Sequence, residues 1–183
     1  MVLGPIPSEL GLLTLTTFLF LGYNQLTGSI PTEIGNMESL QVLDLYFNRL
    51  TGTIPTQLSQ LSNTLGFFGA PNNTIGGAIP SEIGLLTQLN VIDLHTNQLT
   101  GTLPTELGLL TNLWSLNFYS NMLAGRLPSE LGMLTMMTDL NLTQNALLDI
   151  IELPPELVAI QDNFTNMMMP TTTDDDIVVD DDF

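Results

Sequence analysis

The chain has 183 residues, a length that suits one domain. It carries 19 acidic residues against two arginines, Arg49 and Arg126, and its formal net charge at pH 7 is −17. Because this charge repels phosphate backbones and anionic lipids, we predict that the chain binds neither nucleic acid nor a membrane surface.

A unit of 24 residues repeats along the chain as far as Pro155, and the stretch LQVLDLYFNRLTGTIPTQL from Leu40 to Leu58 shows it in full. An asparagine marks each copy, and one step of 25 residues holds an insertion between Leu61 and Leu65. The six asparagines are Asn24, Asn48, Asn73, Asn97, Asn121 and Asn145. A single unit cannot bury its leucines, so we predict that stacked units share one core and that the asparagines form a ladder along it.

In chain order, each unit is predicted to begin with a short strand, because Leu43 and Leu45 alternate with polar residues and so point to one face. Asn48 follows at a turn, where its amide can donate to and accept from backbone groups. Gly52 permits a backbone conformation that other residues resist, and Pro55 begins a short helical turn. Hydroxyl residues are predicted to cap these turns and glycines to end them. The hydroxyl residues are Ser8, Thr32, Thr56, Ser81, Thr105 and Ser129, and the glycines are Gly35, Gly84, Gly108 and Gly132.

The pattern L-x-x-L-x-L-x-x-N-x-L-T-G-x-I-P-x-E-L-G-x-L, which residues 3–157 follow, resembles the plant-type leucine-rich repeat. The resemblance implies an α/β repeat solenoid: a right-handed horseshoe with a parallel concave β-sheet and short 3-10 or helical turns on the convex side. The family includes receptor-like kinase ectodomains, inhibitors of secreted polygalacturonases and a few antifreeze proteins. We therefore expect a non-enzymatic recognition module, receptor-like in character, that binds a protein, peptide or glycan on its concave face.

The resemblance also bears on location and completeness. It favours an extracellular or cell-surface protein, although Met1 to Leu3 show no signal peptide and an intracellular location stays open. The chain starts inside a repeat, at Gly4, and lacks the cysteines that close the ends of family members. It is interpreted as a fragment or an uncapped member, and a partner would cover its exposed first coil.

Two regions are predicted from composition. Residues 1–160 form the solenoid, with a half repeat followed by about six full repeats. Residues 161–183 form a tail rich in methionine, threonine and aspartate. Like charges at that density resist packing, so we predict that the tail is disordered. No membrane-spanning segment is expected in this chain.

The side chains that flank the strand leucines are predicted to line the concave face. The early units place aromatic residues there, and the late units place polar ones. The predicted ligand-binding residues are Phe20, Tyr23, Asp44, Tyr46, Phe47, Asp93, His95 and Tyr119. An aromatic and acidic face favours a cationic peptide, an amine or a sugar ring over a phosphate. The alternative is that some of the rings cover the first coil or pack on their neighbours.

Asp93, His95 and Ser115 fall on neighbouring units and suggest a catalytic triad. A triad also needs an oriented base, an oxyanion site and a pocket, and a sheet face offers no obvious pocket. We predict no catalytic residue and regard His95 as an exposed residue of the face. With one histidine and no cysteine, the sequence predicts no metal site and no cofactor.

A second series of hydroxyl residues lies on the turn side of the units, at Thr27, Ser29, Thr51, Thr53, Thr100 and Thr102. The simpler interpretation is solvation of a regular turn. The alternative is an ordered array that binds ice, as in the antifreeze members, or that gives the protein a structural role in a cell wall. Gly76, Ala78, Ala124 and Arg126 interrupt the array and weaken this alternative.

Three N-x-S/T sequons predict N-glycosylation sites in a secreted protein, at Asn72, Asn141 and Asn163. Asn72 and Asn141 fall on the predicted concave face. Glycans there would restrict ligand binding to the other units.

Overall fold

The computed structural model describes residues 1–147 and shows a parallel sheet of six three-residue strands, one from each unit. In chain order the strands are Phe18–Phe20, Val42–Asp44, Phe67–Gly69, Val91–Asp93, Ser115–Asn117 and Asp139–Asn141. Each strand pairs with its sequence neighbour, and we number coils 1 to 6 after them. The predicted register is confirmed, since Phe18 pairs with Val42, Val42 with Phe67 and Phe67 with Val91. The predicted tail, the boundary at residue 160 and Asn163 lie outside the described residues.

One hydrophobic core runs along the whole sheet. Leu40, Leu43, Leu45 and Leu50 are at most 1% exposed, and the corresponding side chains of the other coils pack above and below them. Each coil closes its core only against its neighbours, as expected for a solenoid. The predicted repeat solenoid with a parallel sheet is therefore confirmed.

The opposite, convex side carries one 3-10 helix per coil. These helices are Ser8–Leu12, Thr32–Asn36, Thr56–Leu61, Ser81–Leu85, Thr105–Leu109 and Ser129–Met133. A proline in extended conformation precedes each of them, as predicted. The predicted capping by hydroxyl residues is wrong, because the proline itself occupies the cap position. The hydroxyl comes one residue later, and that of Thr32 instead donates to Glu33 Oε2 at 3.2 Å.

The glycines on the helices have a different role from the one predicted. The residues that follow the helices, such as Met37 with φ −79°, are not left-handed, so no glycine is needed to end the helix. Gly35 instead lies against the next coil, where a Cβ atom would come within 2.3 Å of the Gln57 carbonyl oxygen. Gly84 and Gly108 face the coil after them in the same way. Glycine at this position allows adjacent coils to approach.

Further short strands occupy the segments that the sequence predicted as turns. They form two parallel sheets, one of Leu3–Pro5, Gln25–Gly28 and Arg49–Leu50, the other of Gly76–Ala78, Gln98–Gly101, Met122–Gly125 and Ala146–Leu147. The turn-side threonines Thr27 and Thr100 therefore belong to strands. Gly52, which lies next to this ladder, has φ +74°, so it does adopt the conformation that favours glycine.

The repeated asparagines join consecutive coils through their side chains. Asn48 Oδ1 accepts the backbone N–H of Leu26 at 3.0 Å, and its amide donates to the carbonyl of Leu21 at 2.9 Å and to its own coil at Leu45. The same set of bonds recurs at Asn73. These side chains thus satisfy buried backbone groups that have no hydrogen-bond partner in a neighbouring strand.

No helix among residues 1–147 combines the length and the apolarity that crossing a lipid bilayer requires.

Candidate functional site

The most exposed aromatic side chains of the sheet lie together at coils 1 and 2. Phe20 is 66% exposed, Tyr23 64%, Phe18 54% and Phe47 47%, and Tyr46 between them is half-buried. We call Phe18, Phe20, Tyr23, Tyr46 and Phe47 the aromatic patch. Large apolar side chains exposed as a group are typical of an interaction surface.

Strand alternation and coil geometry place these rings. Phe18 and Phe20 flank the buried Leu19, so both side chains point out of the sheet and stack with a centroid distance of 6.2 Å. Tyr23 and Phe47 lie just after the strands, where the backbone is left-handed with φ of +52° and +49°.

The three rings at the end of the strands form one cluster. The Tyr23 and Phe47 rings are parallel within 9° at a centroid distance of 4.9 Å. The Tyr46 ring meets Tyr23 edge-on at 4.6 Å and lies over Gly22, where a Cβ atom would be only 2.5 Å from Tyr46 Cε1. Packing on neighbours, the alternative predicted for the rings, therefore applies to all three, although Tyr23 and Phe47 remain exposed and only Tyr46 is half-buried.

Asp44 lies beside the patch and is half-buried. Its Oδ1 accepts the backbone N–H of Tyr46 at 3.2 Å. Burial raises the pKa of Asp44, the charge of Asp93 raises it further, and the bond from Tyr46 opposes both. The pKa of Tyr46 is also raised, by burial first and then by the charges of Asp44 and Tyr23.

Coil 3 separates the patch from the polar half of the face. The Phe67 ring covers Gly69, where a Cβ atom would lie 2.7 Å from the ring, and Pro71 is buried. The surface of this coil between the two halves is therefore largely apolar and has no protruding side chain at Gly69 or Pro71.

His95 is the centre of a polar network over coils 3 to 5. Its Nδ1 lies 2.7 Å from Asp93 Oδ1, and its Nε2 lies 3.0 Å from the amide nitrogen of Asn72. The amide of Asn117 approaches the same ring at 3.3 Å from Nδ1. His95 is thus more constrained than the exposed residue expected from the sequence, since its side chain is 27% exposed and both ring nitrogens have neighbours.

The structure does not bring Asp93, His95 and Ser115 into a triad. The Ser115 hydroxyl is buried and donates to Asp139 Oδ2 at 2.6 Å, while His95 Nε2 faces Asn72. A serine nucleophile would need its hydroxyl on the histidine base. Within residues 1–147, no three histidine, cysteine or acidic side chains converge to form a metal site.

The predicted residues thus fall into two groups on one face. Phe20, Tyr23, Asp44, Tyr46 and Phe47 meet at coils 1 and 2, whereas Asp93 and His95 lie at coil 4 and Tyr119, half-buried, follows the strand of coil 5. The sequence reasoning did not assign Phe18, Gly22 or Asp139 to the site. Phe18 and Asp139 pair with outward-facing residues of the neighbouring strands, Val42 and Ser115, so their positions in the repeat could have indicated that they belong to the face.

The two described sequons also lie on this face, and both asparagines are half-buried. Asn72 has φ +54° and its amide is engaged with His95. Asn141 Oδ1 accepts the hydroxyl of Thr143, the last residue of its sequon, at 2.7 Å.

Comparison with known proteins gives a consistent result. The family model "Leucine Rich Repeat" matches residues 16–37, 39–61 and 88–110, and no curated protein matches the sequence. Among solved structures, the LRR ectodomain of the Arabidopsis thaliana membrane receptor kinase GASSHO1/SCHENGEN3, in complex with CASPARIAN STRIP INTEGRITY FACTOR 2, is similar with 38% identity and a TM-score of 0.77. That match covers 79% of this chain and 17% of the ectodomain.

Two further structures show the range of similar proteins. The Arabidopsis receptor kinase HAESA, solved with the peptide hormone IDA and the co-receptor SERK1, shares 30% identity over 91% of this chain and 27% of its own, with a TM-score of 0.83. A plant ice-binding protein shares 32% identity over 70% of this chain and 42% of its own, with a TM-score of 0.67. The chain thus spans about a sixth to a quarter of the receptor ectodomains.

Proposed function

Because the chain belongs to the leucine-rich-repeat proteins, we propose that it is a recognition module that binds a peptide or another protein on its concave face. The observation that carries the proposal is the aromatic patch, in which four rings are 47–66% exposed on a sheet whose last three strands present smaller or polar side chains. Exposed aromatic residues at the centre of an interface dominate binding energies. Two of the similar receptors were solved with peptide hormones.

The similar receptor ectodomains lie outside the cell, and we place this chain there as well, as a segment of a surface receptor. Asn72, Asn141 and Asn163 are then candidate glycan acceptors. A glycan on Asn72, in coil 3, or on Asn141, in coil 6, would compete with a ligand that extends over those coils, so binding across them requires both asparagines to be unmodified. A glycan ligand remains a second occupant of the patch, because sugar rings also stack on aromatic side chains.

Selection from a random peptide library tests the proposal. The chain is immobilised and challenged with displayed peptides of about 12 residues, a length that extends over the whole sheet. The variant carries Tyr23→Ser and Phe47→Ser, and the control carries Leu85→Ser and Leu109→Ser, which remove two side chains of 54% and 52% exposure from the convex side.

Peptides that bind the native chain and the control but not the patch variant would support the proposal. A glycan array read with the same three proteins separates the sugar alternative. Equal retention of every peptide and glycan by the patch variant would refute binding at this face.

A second function, ice binding, is favoured by the similar plant ice-binding protein together with the exposure of Thr51, Thr53 and Thr102 on the turn side. Regularly spaced hydroxyl and methyl groups could match an ice lattice, but Ala78 and Gly76 interrupt the series. Thermal hysteresis and ice recrystallisation assays decide this point. Activity that Thr53→Lys removes would support ice binding, and the absence of both activities would exclude it.

A further inference from the structure

The concave face carries no cation of its own. The chain has only two basic residues apart from His95, and both lie away from the concave sheet. Arg49 belongs to the turn-side strand Arg49–Leu50, and Arg126 directly follows the turn-side strand Met122–Gly125. The carboxylates of the face therefore have no arginine or lysine partner.

The carboxylates of the polar half each keep an oxygen for a ligand. Asp93 uses Oδ1 for His95, and Asp139 uses Oδ2 for the Ser115 hydroxyl. Among residues 1–147, no side chain or backbone group donates to Asp93 Oδ2 or Asp139 Oδ1. Both side chains are half-buried, so a cation that reaches them is partly shielded from water and interacts more strongly than at a fully exposed site.

We propose that the aromatic patch is covered by the apolar end of a basic peptide, whose lysine or arginine side chains extend across coil 3 to Asp93 and Asp139. This inference rests on the proposed function and specifies its ligand. Charge complementarity selects this occupant: a second copy of the chain, at a net charge of −17, would be repelled, and the hydroxyls of a neutral sugar would bond to the two free oxygens without compensating their charge.

The spacing of the coils sets the length of this peptide. Coils 2 and 6 are four strands apart, which is about 19 Å at ~4.8 Å per strand. An extended peptide covers about 3.3–3.6 Å per residue, so about six residues separate its apolar anchor from its last cation. Gly69 and Pro71 carry no long side chain, so at coil 3 the peptide backbone would pass over the Phe67 ring that covers Gly69.

An arginine fits both ends of this surface. Its guanidinium has several N–H donors, one of which can bond a single free carboxylate oxygen, and a cation can also stack on the exposed faces of Tyr23 or Phe47. The free oxygens of Asp93 and Asp139 accept such bonds, whereas an acidic or phosphorylated peptide would meet three carboxylates on this face, with Asp44 as the third.

The test uses the peptides of about 12 residues that the library selection above enriches, resynthesised singly. Enriched sequences are expected to combine an apolar or aromatic pair with lysine or arginine about six residues away. In the variant Asp93→Asn with Asp139→Asn, their affinity is expected to fall about 10- to 100-fold while the apolar pair still contributes. The control Glu106→Gln with Glu130→Gln removes the same charge from the convex side and is expected to change affinity less than about twofold.

The outcomes separate the two proposals. If no peptide depends on Tyr23 and Phe47, the proposed function fails, and this inference fails with it. If peptides depend on the patch but carry no cation at that distance, or keep their affinity in the Asp93 and Asp139 variant, only the basic ligand is refuted. Equal losses in the convex control would show a general charge effect and would also overturn the inference.

Discussion

The substitution Gly22→Ala tests whether the aromatic cluster is built by coil-to-coil contact. An added Cβ would lie 2.5 Å from Tyr46 Cε1 and 2.7 Å from Cδ1, whereas ordinary contacts begin at 3.4 Å. The backbone of Gly22 is not left-handed, so alanine is compatible with it and only the ring must respond. The Tyr46 ring must therefore move by about 1 Å, away from its edge-on contact with Tyr23.

The magnitude follows from the contacts that Tyr46 would lose. Tyr46 makes two ring contacts, with Tyr23 at 4.6 Å and Phe47 at 5.9 Å, and each such pair contributes about 0.5–1.5 kcal/mol. Overpacking adds about 1–3 kcal/mol, and alanine recovers up to about 1 kcal/mol by restricting the unfolded chain. We expect Gly22→Ala to lower the free energy of unfolding by about 1–6 kcal/mol and to weaken peptide binding about tenfold.

Urea denaturation, near-ultraviolet circular dichroism and peptide titration measure these effects. The matched control is Gly66→Ala, because a Cβ there would meet nothing closer than 3.7 Å and its backbone is not left-handed either. The control is expected to leave the aromatic dichroism unchanged and stability equal or slightly higher. If Gly22→Ala behaves like Gly66→Ala in all three measurements, the account of the cluster is refuted.

Three further changes test other parts of the structure. Asn73→Ala leaves the buried N–H of Leu50 unpaired, whereas the carbonyls of Leu45 and Ala70 keep their bonds from Asn48 and Asn97. It should lower the free energy of unfolding in urea by about 2 kcal/mol, against less than about 1 for the exposed Asn112→Ala. Gly108→Ala places a Cβ 2.4 Å from the next coil's backbone and should lower the melting temperature, unlike Gly66→Ala. The pKa of Asp44 is raised by burial, so its contribution to stability is present below its unfolded-state pKa and is lost as pH rises through the folded value. Asp44→Asn should therefore gain stability over the native chain at neutral pH, and this gain should shrink at pH ~3 in parallel melts.

Spacing alone was sufficient to predict the coils and their register, because each strand residue meets its counterpart one repeat away. Phe18, Val42 and Phe67 pair in the columns that the asparagine spacing implies. The turn-side strands were missed because their pattern lies in backbone hydrogen bonds. A segment such as Gly76–Ala78 has no apolar alternation from which a strand could be predicted.

The repeat columns predicted which candidate residues share the concave face, but they did not predict the contacts between those side chains. That Tyr46 packs while Phe47 is exposed depends on Gly22, one coil earlier, which leaves space under one ring. That His95 is constrained depends on Asn72, which lies 23 residues away in sequence and 3.0 Å away between the side-chain nitrogens. Such contacts follow from the column arrangement only once side-chain sizes on both neighbouring coils are compared.

At the left-handed position after each strand, the residue type that the backbone conformation favours can be compared with the residue that is present. All six coils adopt it, at Tyr23, Phe47, Asn72, Thr96, Ser120 and Gln144. Asparagine tolerates this conformation, whereas bulky residues there cost of order 1–3 kcal/mol each. Asparagine, as at Asn72, is therefore the residue type that this backbone conformation favours, whereas Tyr23 and Phe47 adopt the conformation at an energetic cost. Their rings are 64% and 47% exposed, so burial offsets little of the cost, whereas their stacking on each other and their contacts with Tyr46 offset part of it. Under the proposed function, contact with the ligand would supply the rest.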